Sequence, residues 1–153
     1  MTTPSERLAA LGLELPPVAA PVAAYVPATA SGSLVMTSGQ LPSVAGNLVA
    51  TGKVGAEVTP EQATDAARTA GLNALAAAAS VAGGLDRIAR IVKATVFVAS
   101  APDFTGQPQV ANGASQLFVE VFGEAGQHVR SAVGVSVLPL DAPVEVELTV
   151  ESA

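Results

Sequence analysis

The stretch from His128 to Ala153 restricts the possible folds most strongly, because apolar and polar residues alternate along it in two separate runs. Alternation with a period of two residues is typical of half-buried β-strands. The first run puts three valines on one face: Val133, Val135 and Val137. The second puts four aliphatic residues on one face: Val144, Val146, Leu148 and Val150. Proline and aspartate in the intervening residues 138–143 indicate a turn, so we predict two strands joined by a loop.

Charged residues occupy defined places in these two strands. Arg130 begins the first strand, and the side chains of Glu145 and Glu147 are predicted to project opposite the aliphatic face of the second. An arginine offers a planar fork suited to a carboxylate, and a glutamate can deprotonate a water. An ordinary salt bridge between neighbouring strands explains the same residues equally well. Further polar candidates for a pocket are Tyr25, Ser38 and Asn112.

Two segments with a capping-box pattern predict helix starts. Residues 3–6 predict a short N-terminal helix over 5–11 that stops at Gly12, and residues 59–62 predict a long alanine-rich helix that ends at Gly83. A narrow apolar face is expected on the long helix, formed by Ala66, Ala70, Leu72, Leu75 and Ala79.

The remaining elements follow from propensity and turn residues. Residues 23–29 and 34–38 are predicted as short strands, 46–55 as a loop, and 110–122 as a second core helix. The β-branched segment 88–99 is predicted as a long, central, buried strand in which Lys93 is exposed or at an edge. Pattern alone favours a simple strand end at Ser38-Gly39, although close backbone approach to a ligand is the alternative. The fold class is therefore α+β or α/β, with helices on a mixed sheet in a single domain, 1–153.

Composition narrows the function. Only 13% of the residues are charged and 3% are aromatic, which favours an oligomer that completes the burial of a small-residue core. A net charge of −6 without a basic cluster argues against nucleic acid as a partner. With no cysteine and a single histidine, His128, thiol chemistry is excluded and a metal site has little support; a lone histidine there is more often solvated. We find no cofactor motif, signal peptide or membrane span, so a cytoplasmic protein is expected.

Several motifs in the expected order resemble the Rid family, the YjgF-type reactive intermediate (enamine/imine) deaminases. The C-terminal signature of the family is matched by Arg130, Ser131, Val133, Val135, Leu138, Pro139, Asp141, Val144, Glu145 and Glu147. The segments 37–40 (TSGQ) and 91–98 (IVKATVFV) match as well. Tyr25 lies at the expected distance before Ser38, and Asn112 opens the helical segment that precedes the arginine strand.

The resemblance implies a chorismate-mutase-like α+β fold, with a mixed sheet packed by two main helices, and a homotrimer with clefts between subunits. It implies hydrolysis of 2-aminoacrylate-type enamines, or their imines, to 2-oxo acids and ammonia without a cofactor. Arg130 would bind the substrate carboxylate and Glu145 would position or activate water. The cleft would be lined by Tyr25, Ser38, Gly39 and Asn112.

The chain departs from the family pattern at several positions, which identifies it as a divergent branch. An N-terminal helical extension, 1–15, is added, Gly134 replaces a common acidic residue, and Val-Pro-Ala follows Tyr25. Glu147 shares a face with Glu145, so the sequence leaves open which of the two handles the water. A non-enzymatic trimer that binds a small carboxylate or a protein partner remains an alternative. Ribonuclease activity is a third interpretation, disfavoured by the acidic charge.

Overall fold

The structure is a computed structural model that describes residues 2–21 and 23–153. The described residues form three α-helices: α1 (Pro4–Ala10), α2 (Pro60–Ala82) and α3 (Gln107–Phe122). They also form the strands β1 (Ala28–Ser31), β2 (Leu34–Thr37), β3 (Ser43–Val44), β4 (Asn47–Leu48), β5 (Ile88–Ala99), β6 (Val129–Val135) and β7 (Val144–Ser152). The order confirms the predicted α+β fold class.

Five strands form one mixed sheet in the order β1-β2-β7-β5-β6, in which only β5 and β6 are parallel. Buried residues alternate with half-exposed ones along β7, so α2 and α3 cover one face of the sheet and leave the other open in the single chain. β5 is paired on both sides, as predicted, and six of its twelve residues are buried while three are exposed. Lys93, at a register irregularity of β5, is exposed.

The two C-terminal strands are present, but β5 lies between them. The aliphatic face predicted for β7 is fully buried, which confirms that part of the prediction. The face predicted for β6 is wrong for the single chain: the strand ends at Val135, Val133 is 43% exposed, and Val137, beyond the strand, is 65% exposed. The register explains the difference, because it turns Ala132 towards the helices and Val133 towards the open face.

Both predicted capping boxes form. Thr3 and Thr59 accept hydrogen bonds from the amides of Glu6 and Gln62, and those two side chains accept from the capping amides in return. The prediction of a narrow apolar face on α2 is wrong, because residues 73–79 are buried around the whole helix circumference. Small side chains allow α2 to pack on the sheet and on α3 simultaneously. At Gly113 of α3, a Cβ would collide with the Thr64 carbonyl of α2.

Two local predictions need correction near the sheet edge. The first strand begins at Ala28 rather than at residue 23, because Pro27 has no amide to donate to a ladder and residues 23–25 form a bend. The predicted loop at 46–55 contains β4, which pairs with β3 in a small hairpin. Buried Asn73 of α2 holds this hairpin, as its Nδ2 donates to the carbonyl oxygens of Leu41 (3.0 Å) and Ser43 (2.9 Å).

Candidate functional site

A cleft of about 430 Å³ lies at the beginning of β7. Glu145, the second residue of that strand, projects away from the buried Val144 and Val146 and enters the cleft. Tyr25, which is 45% exposed, lines another part of it. The remaining wall is mostly apolar and comes from the arm 16–21, the β3–β4 hairpin and the Pro139-Leu140 turn.

Gly39 allows the carboxylate of Glu145 to occupy its position. Backbone bonds between Gln40 and Val146 in both directions (2.8 and 3.0 Å) place Gly39 beside the start of β7. A Cβ built on Gly39 would lie 2.6 Å from Cδ and 2.9 Å from Cγ of Glu145. The segment therefore does permit a close approach, and the group that approaches Gly39 in the single chain is the glutamate side chain.

Ser38 supports the wall that carries Tyr25. Its hydroxyl donates to the carbonyl oxygen of Val26 (2.6 Å), and its amide donates to that of Pro27 (2.8 Å). These bonds fix the loop between Tyr25 and β1 against the end of β2. The hydroxyl proton of Ser38 is thus engaged with the protein, while its oxygen can still accept a hydrogen bond.

The carboxyl group of Glu145 is electrostatically unusual. Burial raises its pKa above the ordinary value of 4.5, and the nearby Glu147 carboxylate raises it further. Glu147 shares the face of β7 but does not line the cleft. Of the two candidate glutamates, Glu145 is therefore the one in a confined environment with its protonation equilibrium shifted towards neutral pH.

Arg130 lies on the other side of the sheet. The register places it beside Ala94 of β5, and Ala94 beside Leu148 of β7, a buried residue of the face covered by helices. Its guanidinium donates to Asn112 Oδ1 (2.7 Å) and to Ser115 Oγ (3.2 Å) on α3. Two of the predicted site residues, Arg130 and Asn112, are thus brought together by the edge strand β6 and the neighbouring helix.

A histidine extends this group. His128 Nδ1 lies 2.6 Å from the carbonyl oxygen of Gly126, which can only accept, so Nδ1 carries a proton. In the neutral ring, Nε2 then accepts the hydroxyl proton of Ser115 (2.9 Å), leaving the Ser115 lone pairs for Arg130. The imidazole also packs edge-to-face on Phe118, with the ring centroids 5.5 Å apart.

The expectation of a solvated histidine is therefore wrong, since His128 is half-buried between α3 and β6. Sequence reasoning also missed Ser115. A signal existed in the spacing: Ser115 follows Asn112 by three residues, so both lie on one helix face. His128, directly before β6, precedes Arg130 by two residues.

The candidate residues form two separate groups in the single chain. Tyr25, Gly39 and Glu145 line the cleft, whereas Ser38 does not line it and bonds to the loop that follows Tyr25; we call these four residues the glutamate half-site. The arginine half-site is formed by Asn112, Ser115, His128 and Arg130. The alternative of a salt bridge between the arginine and the glutamates of the C-terminal strands is wrong. The ion pairs in the described part of the chain join Lys53 to Asp141, Arg68 to Glu120 and Arg90 to Glu151.

Within residues 2–21 and 23–153, no three side chains of histidine, aspartate or glutamate lie together in a way that could hold a metal ion. None of the helices described is long and apolar enough to cross a membrane.

The fold defines a class of α+β proteins in which two long helices cover one face of a mixed sheet. The sequence matches the family described as "YjgF/chorismate_mutase-like, putative endoribonuclease" over residues 5–152, and the chain belongs to this family. The resemblance inferred from the C-terminal motif is confirmed.

The relatives cover nearly the whole chain. Protein TCP17 of Trypanosoma cruzi is 46% identical over 146 residues, which are 95% of this chain and 91% of that protein. The crystal structure of a putative endoribonuclease from Shewanella oneidensis is 40% identical with a TM-score of 0.94, covering 98% of this chain and 99% of the other. The structure of E. coli TdcF with bound serine is 28% identical with a TM-score of 0.65, covering 91% and 94%.

Proposed function

We propose that the protein hydrolyses short-lived 2-imino acids, and the enamines of 2-aminoacrylate type in equilibrium with them, to 2-oxo acids and ammonia. The observation that carries this proposal is the half-buried Glu145 carboxyl group in a mostly apolar cleft. A raised pKa suits a group that must exchange protons near neutral pH. The second support is a guanidinium whose known bonds, to Asn112 and Ser115, are all to uncharged acceptors, which leaves its charge for a substrate carboxylate.

The chemistry requires little beyond positioning and one acid/base. The Glu145 carboxylate takes a proton from water while the water oxygen bonds to the imine carbon and the C=N electron pair moves onto nitrogen. Glu145 then returns this proton to the nitrogen, takes the hydroxyl proton of the tetrahedral intermediate and passes it to the nitrogen as well. The C–N bond breaks with its electron pair leaving on ammonia, and the oxygen electron pair forms the 2-oxo group. The imine carbon is already electrophilic, so orientation supplies much of the rate.

The proposal requires a homotrimer in which the arginine half-site of one subunit faces the glutamate half-site of the next. The open face of the sheet supports such an interface, because it carries the exposed apolar residues Leu34, Met36, Val129 and Val133. The low content of charged residues, 13%, is in keeping with a large buried surface. In this arrangement, Tyr25 and Asn112 approach the substrate from different subunits.

The test measures the release of ammonia and 2-oxo acid from imines that an amino-acid oxidase generates in situ. Wild-type protein should accelerate release above the spontaneous rate, and Arg130→Ala and Glu145→Gln should each lower kcat/KM by about 100-fold or more while remaining folded. Glu147→Gln serves as the matched control on the same strand and should retain most activity. If Arg130→Ala turns over at the wild-type rate, the proposed mechanism is wrong.

Two other functions have specific support. The serine bound to TdcF favours a protein that binds small amino-acid-like carboxylates without reacting, which predicts saturable binding with no ammonia release. The names of the matched family and of the Shewanella oneidensis structure favour an endoribonuclease. The net charge of −6 disfavours endoribonuclease activity, because it repels the RNA phosphates. RNA that stays intact after incubation with pure protein would refute this activity.

A further inference from the structure

The guanidinium of Arg130 is oriented by two uncharged side chains of α3. Its Nη1 donates to Asn112 Oδ1 (2.7 Å) and to Ser115 Oγ (3.2 Å), which engages both N–H groups of that nitrogen. Nε and Nη2 make no hydrogen bond within the described part of the chain. Together these two nitrogens form a planar edge that can bind a carboxylate through two parallel bonds. The bonds to α3 therefore decide where this edge points.

The hydroxyl of Ser115 can accept from Arg130 only while its own proton points elsewhere, because a hydroxyl has one proton and two lone pairs. His128 Nε2, 2.9 Å away, takes that proton, since the proton of the neutral ring is on Nδ1 and is donated to the carbonyl oxygen of Gly126 (2.6 Å). The histidine thus fixes the rotation of the Ser115 hydroxyl and presents one of its lone pairs to Nη1.

The hydroxyl residues of α2 show what Ser115 would do without the histidine. Three of them donate back to a carbonyl oxygen three or four residues earlier in the same helix: Thr64, Thr69 and Ser80, at 2.8, 3.3 and 2.7 Å. Such a local bond is the usual choice of a serine or threonine inside a helix. Ser115, in the middle of α3, bonds instead to His128. Removal of the imidazole should return the hydroxyl to its own helix and move Oγ away from Arg130.

The imidazole itself is fixed on two further sides. Its ring packs edge-to-face on Phe118, with centroids 5.5 Å apart, and Nδ1 is held by the carbonyl of Gly126. A Cβ at Gly126 would collide with the backbone of α3 at Phe118, so the turn that supplies this carbonyl packs tightly on the same helix. The support of Arg130 is therefore in place before a ligand binds and does not have to be ordered by it.

We infer that His128 is a positioning residue for Arg130: through Ser115 it holds the Nε and Nη2 edge of the guanidinium ready for the substrate carboxylate. The inference rests on the proposed function, which supplies that carboxylate as part of a 2-imino acid. The histidine acts through Ser115 and touches no reacting atom, so its loss should weaken binding without slowing the chemical step. His128→Ala should raise KM by about 3- to 10-fold with kcat nearly unchanged.

Two conservative variants separate the two hydrogen bonds of the imidazole. His128→Gln places an amide oxygen near the position of Nε2 and can still accept the Ser115 proton, so KM should stay within about twofold of the wild-type value. His128→Asn can still donate to the Gly126 carbonyl but is too short to reach Ser115, and it should raise KM as much as His128→Ala. Urea unfolding of each variant accompanies the imine-hydrolysis assay. Equal KM values for the glutamine and asparagine variants, or the reverse order, would overturn the inference.

Combining His128→Ala with Ser115→Ala tests the route of the effect. The second substitution should raise KM little beyond the first, because both remove the same hydrogen bond to Arg130. Increases in KM that multiply fully in the double variant would show that His128 does not act through Ser115 and would overturn the inference.

Two measurements separate this inference from the proposed function, because neither needs turnover. His128 is the one histidine of the chain, so NMR of the 15N-labelled protein without a histidine tag reports its tautomer directly. At about pH 8, where an imidazole is ordinarily neutral, the proton should lie on Nδ1, and a proton on Nε2 would overturn the inference. In calorimetric titrations with pyruvate, Kd should rise by about 3- to 10-fold in His128→Ala and His128→Asn but not in His128→Gln.

The two failures are then distinct. If these shifts in Kd appear while the wild type hydrolyses no imine, the proposed function is wrong and the positioning role stands. If the wild type hydrolyses imines and His128→Ala leaves KM unchanged, the positioning role is wrong and the proposed function stands.

Discussion

Gly39→Ala is expected to inactivate the protein without unfolding it. The added Cβ would lie 2.6 Å from Cδ of Glu145, whereas ordinary contact begins near 3.4 Å. The carboxyl carbon must therefore move by at least about 0.8 Å, and misplacing a catalytic group by about 1 Å can cost about 100-fold in rate. We expect kcat/KM to fall by about 100-fold, which corresponds to about 2.7 kcal/mol of transition-state stabilisation.

Stability should change little, because the obstacle is a flexible side chain and the backbone of Gly39 does not have a positive φ. Loss of chain entropy in the unfolded state favours alanine by about 0.4–1 kcal/mol. Imine hydrolysis and urea unfolding are measured together. Gly134→Ala is the matched control, since there the nearest atom to the new Cβ is Nε2 of Gln107.

A double-mutant cycle tests whether Gly39→Ala loses activity because Glu145 is displaced. If alanine at position 39 acts by displacing Glu145, it should cost almost nothing further in a Glu145→Gln background, since the two residues act as a unit. A 100-fold loss in that background as well would refute the reasoning. So would wild-type activity in the single variant.

Three further outcomes are expected. Ser115→Ala should raise KM by about 3- to 10-fold with kcat nearly unchanged, because the Arg130 guanidinium loses one of its two hydrogen-bond acceptors. Ser115→Thr keeps the hydroxyl and should restore KM. A fall in kcat as large as the rise in KM would contradict a role limited to positioning. Thr37→Val should lower the free energy of unfolding by about 1–3 kcal/mol, because the buried amide of Leu148 loses its hydrogen bond (3.0 Å) to the Thr37 hydroxyl. Urea titration measures this loss, with Thr37→Ser as the control that keeps the hydroxyl. The raised pKa of Glu145 contributes to stability below pH 4.5, the ordinary pKa of the group, and this contribution is lost as pH rises through the pKa of the folded protein. Glu145→Gln should therefore have a higher melting temperature than the wild type at pH 7 and the same melting temperature below about pH 4. A difference in melting temperature that does not depend on pH would exclude this origin.

The sequence predicted those elements whose local signals agree with their packing. The capping boxes located both helix starts, and the alternation in β7 predicted which residues are buried. The buried face predicted for β6 was wrong because this strand lies at the edge of the sheet and its valines face the open side. A periodic pattern reports that one face is apolar, and it does not report whether the same chain covers that face.

The candidate site could be predicted as a set of residues but not as a geometry. Glu145 and Arg130 are close in sequence, which suggested that they are close in space. In the structure β5 lies between their strands, and their side chains project from opposite faces of the sheet. Strand insertion depends on long-range pairing that the spacing of the two runs does not encode. The support from His128 was missed because residue spacing shows which side chains share a face of one element, and it does not show that α3 packs against the start of β6.

Subunit complementation tests the central claim, that each site combines Arg130 of one subunit with Glu145 of another. Arg130→Ala and Glu145→Gln chains, each inactive alone, are co-expressed with different tags, and mixed trimers are purified through both. Each mixed trimer should restore about a third of its sites, because only one of its three equivalent interfaces takes its arginine from the Glu145→Gln chain and its glutamate from the Arg130→Ala chain. Recovery of imine hydrolysis near that level is the predicted result. Mixed trimers that stay as inactive as the parent variants would contradict the account.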